Sequence, residues 1–90
     1  MAGRSLFNNP KTNERELPYI VELVVPEGGF GTTLDLIEIF HIQWGIKQRH
    51  GQGRYQAPHH YVRWCFADPQ HASSFQAMFG GKILGTKYEL

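Results

Sequence analysis

The stretch from His59 to Ala72, HHYVRWCFADPQHA, constrains the fold more than any other part of the chain, because a strand pattern runs directly into a capped helix. In HHYVRWCF the residues alternate, placing His60, Val62, Trp64 and Phe66 on one side of an extended chain and His59, Tyr61, Arg63 and Cys65 on the other. The first set, with its aliphatic and large aromatic members, reads as the core face. Asp68 occupies an N-cap position, and Pro69 follows at the first helical position, where a missing N–H leaves nothing unpaired. A strand therefore ends near Phe66 and a helix begins at Pro69.

Upstream, PYIVELVV (Pro18 to Val25) is rich in β-branched residues and is closed by Pro26, which predicts a strand with Tyr19, Val21, Leu23 and Val25 on one face and Ile20, Glu22 and Val24 on the other. The loop EGGFG leads to Thr32, which with Asp35 has the spacing of a capping box. Leu34, Ile37, Phe40, His41 and Trp44 then recur at helical spacing as a buried stripe, widened by Leu36, Ile39 and Ile42, and Gly45 stands where a left-handed terminal residue is wanted. Ile46 to His50 is a short candidate strand, joined by the loop GQGRYQAP (Gly51 to Pro58) to the His59 strand. Ala72, Phe75, Met78 and Phe79 supply the buried face of the second helix, which ends at Gly80 and Gly81, and Lys82 to Lys87 is a weak last strand with Gly85 as a bulge or early stop.

The order strand, helix, strand, strand, helix, strand folds most simply as a ferredoxin-like α+β sandwich. This is a four-stranded antiparallel sheet with two helices on one face, the first and third strands central and the other face uncovered. Ninety residues suffice for one hydrophobic core, assigned to residues 18–90, and the polar stretch 1–17 reads as a flexible N-terminal tail. The single cysteine, Cys65, excludes an intramolecular disulfide. The N-terminal residues lack the apolar run of a signal peptide, and no stretch is long and apolar enough to span a membrane, so a cytoplasmic protein is expected.

The formal net charge is only +1, but its distribution is uneven. Between Glu38 and Asp68 there is no carboxylate, while Lys47, Arg49, Arg54 and Arg63 lie there with His50, His59 and His60. Such a basic hairpin can hold phosphates, and Tyr55 and Tyr61 beside it can stack on bases. Lys47, Arg49, His50, Arg54, Tyr55, His59, Tyr61 and Arg63 are accordingly the candidate site for an anionic partner, nucleic acid first among them. The alternative is a protein-interaction or homodimerising module that buries the open sheet face, with Ile20, Val24, Tyr61 and Cys65 in the contact. A third reading is an acid–base nuclease using His50, His59 or His60, with Arg49 or Arg54 stabilising phosphate charge.

Other chemistry is disfavoured. RNA-recognition domains share this topology, but Arg63 stands where their third strand carries a second exposed aromatic, and the first strand exposes none. His59 and His60 point to opposite faces, and no histidine pair has the i, i+4 spacing of a helical zinc site, which leaves His50, His59 and a loop group as the remaining metal arrangement. Cys65 has no base on its own strand face closer than His59, roughly 20 Å away at strand rise. EGGFGTT lacks the lysine and spacing of a phosphate-binding loop. No cofactor, metal or catalytic residue is expected.

The run VRWCFADPQHASSFQAMFGG (Val62 to Gly81) resembles a recurring segment of short uncharacterised bacterial proteins, and VPEGGFGTTLD is similar to their first strand-to-helix loop. The resemblance spans about half of the chain and implies fold-determining roles for these residues. It implies no activity, ligand or catalytic residue.

Overall fold

A computed structural model describes residues 9–84, in the order α1 (Pro10–Glu16), β1 (Tyr19–Val24), α2 (Thr33–Trp44), β2 (Arg54–Gln56), β3 (His59–Phe66), α3 (Pro69–Phe79) and β4 (Lys82–Ile83). The strands form one antiparallel sheet in the order β2-β3-β1-β4, so the two most apolar strands, β1 and β3, are its centre. Their register pairs Tyr19 with Phe66 and Val24 with Tyr61. Strand alternation then turns Val21 and Leu23 of β1 and Trp64 and Phe66 of β3 to the same side, against Ile37 and Phe40 of α2 and Ala72 and Phe75 of α3. Phe75, fully buried, meets Phe40, Trp64, Phe66 and Phe79 at ring-centre distances of 4.8 to 5.5 Å. The core is thus the single layer between the sheet and these two helices.

Helix α3 begins as its sequence predicts, with the Asp68 side chain accepting from the Gln70 N–H at 2.8 Å and Pro69 next in line. Gly45 ends α2 in the left-handed conformation, and its N–H and that of Ile46 return to Ile42 and His41 carbonyls. Gly81 is required for a different reason: a Cβ there would collide with the Leu23 side chain and the Glu22 carbonyl, so it lets the chain pass close over β1 into β4.

Four expectations are corrected. Residues 10–17 are not a flexible tail, because Pro10–Glu16 is helical: Asn9 caps it by accepting from the Thr12 N–H at 3.1 Å, and Asn13 is buried. That helix lies against part of the sheet face expected to be uncovered. Ile46 to His50 forms no strand beyond a single bridge from His50 to Trp64, and β2 is instead Arg54–Gln56, inside the expected loop. The edge chain takes four steps from Arg54 back to His50 where β3 takes three from Tyr61 to Trp64, so one inserted residue interrupts the ladder at the glycine-containing 51–53 stretch. Thr32 has helical backbone angles and makes no side-chain cap bond, so the capping box is not formed. Of the last strand only Lys82–Ile83 is observed; Gly85 to Lys87 lie outside the described residues.

Of the predicted α2 stripe, Ile37, Phe40 and His41 are buried, whereas Leu34 and Trp44 stay exposed. His41 stacks on Phe66 with its Nδ1 2.8 Å from the Ile37 carbonyl, to which it donates in the neutral form, while Nε2 has no hydrogen-bond partner among the described residues. Burial holds both His41 and His50 below the usual 6.5 of a histidine. The unfolded chain therefore binds protons that the folded chain refuses. The contribution of these two histidines to the unfolding free energy should be flat above neutrality and fall as pH drops through 6.5 toward the folded values, by up to about 1.4 kcal/mol per pH unit for each histidine. Urea titrations across that range test this, with His41→Leu losing one histidine's share of the slope; a pH-independent free energy down to about pH 5 would contradict it.

Candidate functional site

The face of the sheet turned away from the core is organised by a buried carboxylate. Glu22, in the middle of β1, is 4% exposed and faces this side between neighbours on β3 and β4. Arg54 of β2 makes two hydrogen bonds to it, Nε at 2.9 Å and Nη2 at 3.0 Å, and Arg63 of β3 adds a third from Nε at 3.1 Å. Arg63 also reaches Glu14 of α1 at 3.1 Å. Glu14 in turn accepts from the Gln52 N–H at 2.6 Å, filling space that exists because residue 51 is glycine, and the Asn13 amide donates to the His50 carbonyl at 2.8 Å. Hydrogen bonds from Arg54, and secondarily from Arg63, outweigh burial and hold the Glu22 carboxyl below its usual 4.5.

This network decides the state of the sequence-derived site residues. Arg54 and Arg63 are occupied by Glu22 and Glu14, two carboxylates that lie outside the acid-free stretch and so escape a linear charge map. The Arg54 guanidinium also lies 4.1 Å over the Tyr61 ring, covering a face that a base would use. Tyr55 is exposed on the opposite side of the sheet, packed against His60 at 4.5 Å, so Tyr55 and Tyr61 form no common platform. His59 shares the Glu22 face near Tyr61, whereas His50 packs on Trp64 on the core side. The three histidines of the nuclease reading do not converge, and His50 and His59 cannot share a metal across the edge. Among the described residues no three His, Cys, Asp or Glu side chains come together as metal ligands. Lys47 and Arg49 lie further along the edge, facing a cavity beside Cys65, and neither makes an ion pair among the described residues.

Nor is the Glu22 face an apolar contact surface, since Cys65 is 2% exposed and charge fills its centre. Burial pushes the Cys65 thiol up to about 12, which leaves it protonated and unreactive at neutral pH.

The exposed apolar surface is on the helices instead. Ile37, Phe40 and His41 use one side of α2, and helical geometry puts Ile39, Ile42 and Asp35 on the opposite side, toward solvent. Ile42 is 67% exposed, Leu36 53% and Met78 of α3 63%, with Leu34, Ile39 and Trp44 also open. Leu36, Ile39 and Gln43 face Met78 and Phe79 across an open groove of about 450 Å³. Asp35 and Glu38 are the only charged residues of α2, and α3 has no carboxylate, lysine or arginine. Sequence reasoning recognised the excess apolar residues of α2 but assigned them to the core. The signal that they exceed what one face can bury was present in their spread around the helix.

Comparison of the chain with protein-family models, with curated proteins and with solved structures finds no match. No helix among the described residues is long and apolar enough to cross a membrane.

Replacing Glu22 with Gln should cost about 2 kcal/mol of stability, less than the cost of breaking a fully buried pair because both arginines reach solvent. Denaturant unfolding measures this, and a variant as stable as the native chain would show that the network contributes no net stability.

Proposed function

We propose that this chain is a ferredoxin-like α+β domain that works as a protein-interaction module, docking a basic amphipathic helix of another protein on the outer side of α2 and α3. The sheet order β2-β3-β1-β4, with α2 and α3 on one face, supports the fold reading. The observation that carries the functional reading is the placement of Ile39 and Ile42 beside Asp35 and Glu38 on the solvent side of α2.

Leu36, Ile39, Ile42 and Met78 leave an apolar patch on the order of a few hundred Å², the size at which such patches mark interaction sites on monomers. Stable protein pairs typically bury roughly 800 Å² on each side, so one helix is a better match in size than a whole domain. Apolar residues of a docked helix at i, i+3 and i+4 would enter the groove between Leu36 and Met78. The charge on this side selects the sign of the partner. With Asp35 and Glu38 present and no lysine or arginine on either helix, a flanking row of lysines or arginines is favoured. A second copy meeting α2 to α2 would bring these carboxylates against themselves. A phosphate backbone is repelled here for the same reason, and on the sheet face Arg54 and Arg63 are already paired. The reading is therefore one of binding, not catalysis.

The test is titration of the chain into a synthetic, fluorophore-labelled Leu/Lys amphipathic helical peptide, followed by the anisotropy of the label. Saturable binding that weakens with salt is expected, with no binding of a Leu/Glu peptide of the same apolar pattern. Burying the exposed part of Ile42 contributes about 1–2 kcal/mol, so Ile42→Glu should weaken binding about five- to thirtyfold while leaving the melting temperature unchanged. Equal binding of both peptides, or none of either, would overturn the reading. So would a dimer of the free chain that Ile42→Glu dissociates, which would assign the face to a second copy.

A further inference from the structure

Neither the helix surface nor the Glu22 network uses Lys47 and Arg49. Their direction is set by the chain between α2 and β2, which runs beside the end of β3: the Cys65 N–H donates to the Arg49 carbonyl at 2.8 Å, and His50 bridges Trp64. Alternate residues turn inward, with the Gln48 side-chain oxygen accepting from the Trp64 indole N–H at 3.1 Å and the His50 ring centre 5.1 Å from that of Trp64. Lys47 and Arg49 are left on the other side. There they line a cavity of about 270 Å³ whose walls include Leu17, the residue after α1, together with Cys65 and Ala67. The turn between α1 and β1 thus supplies one wall of the cavity. Its walls are largely apolar, and neither cation has a carboxylate partner among the described residues.

We propose that this cavity binds a small hydrophobic monocarboxylate, with the carboxylate held by Lys47 and Arg49 and the apolar body by Leu17, Cys65 and Ala67. Two uncompensated cations beside an apolar pocket favour a ligand that carries one anionic end and one apolar end. The volume equals about nine water molecules at roughly 30 Å³ each, which limits the ligand to about ten heavy atoms. Asp68 stands on the rim, held by its bond from the Gln70 N–H, and its charge selects against a dianion such as phosphate. Cys65 is a wall and not a nucleophile, because its thiol is protonated. The site is independent of the helix-docking reading, since the cavity and the helix groove share no lining residue.

Titration of the full, isotope-labelled chain with phenylacetate, followed by amide chemical shifts, tests the proposal against two controls: phenylacetamide, which is neutral and of the same shape, and inorganic phosphate. Saturable shifts at Arg49, Cys65 and Ala67 are expected with phenylacetate, at concentrations at least tenfold below those needed for either control. Lys47→Gln and Arg49→Gln should each weaken phenylacetate about tenfold, whereas Lys47→Arg should retain it. Lys47 is exposed and Arg49 half-buried, so the variants keep the core, and a dispersed spectrum verifies this. Absence of saturable shifts with phenylacetate overturns the proposal, as does equal binding of acid and amide, phosphate binding as tight as phenylacetate, or charge-removed variants that bind like the native chain.

Discussion

The carboxylate of Glu22 is the point on which the sheet side of this protein depends. A charge this deeply buried is tolerated only when it is paired and hydrogen-bonded, and its partners come from β2 and β3, which it ties to β1. Arg63 extends the pairing to Glu14 and so seats α1 on a sheet face that would otherwise be bare. Leu17, which follows α1, forms one wall of the cavity that Lys47 and Arg49 line. One buried acid on a central strand thereby settles which arginines are held internally.

The two sides of the molecule differ in kind as a result. The sheet side is charged and partly self-compensated, with Lys47 and Arg49 at one end and Lys82 of β4 opposite Glu22 outside its ion pairs among the described residues. The helix side is apolar and acidic, because α2 carries more large aliphatic residues than one buried stripe can use. The titratable side chains are dispersed between the two sides. His41 is enclosed by aromatic rings, His50 rests on Trp64, His59 and His60 point to opposite faces, and the Cys65 thiol is held protonated.

How far the sequence could be read depended on the range of the interactions involved. The β3 to α3 junction was legible because alternation, the Asp68 cap and Pro69 act within a few residues of one another. Asn9 and Pro10 carry the same signal as Asp68 and Pro69, yet no apolar periodicity follows them, because α1 is held by Asn13 and Glu14 through polar bonds and not by a hydrophobic stripe. The edge strand was displaced from Ile46–His50 to Arg54–Gln56 because both segments can pair with β3, and a one-residue insertion divides the pairing between them.

The sequence by itself determined the α+β class, the two apolar central strands, the entry to α3 and the left-handed end of α2, all of which follow from local geometry and side-chain period. Tertiary structure alone decided the fate of the charges. Arg54 and Arg63 meet carboxylates 32, 41 and 49 residues away in the chain, and only closure of the sheet and docking of α1 bring them within hydrogen-bonding distance. It also decided which residues of α2 face solvent, since a helix that is apolar nearly all round has no intrinsic inner side until a sheet covers one.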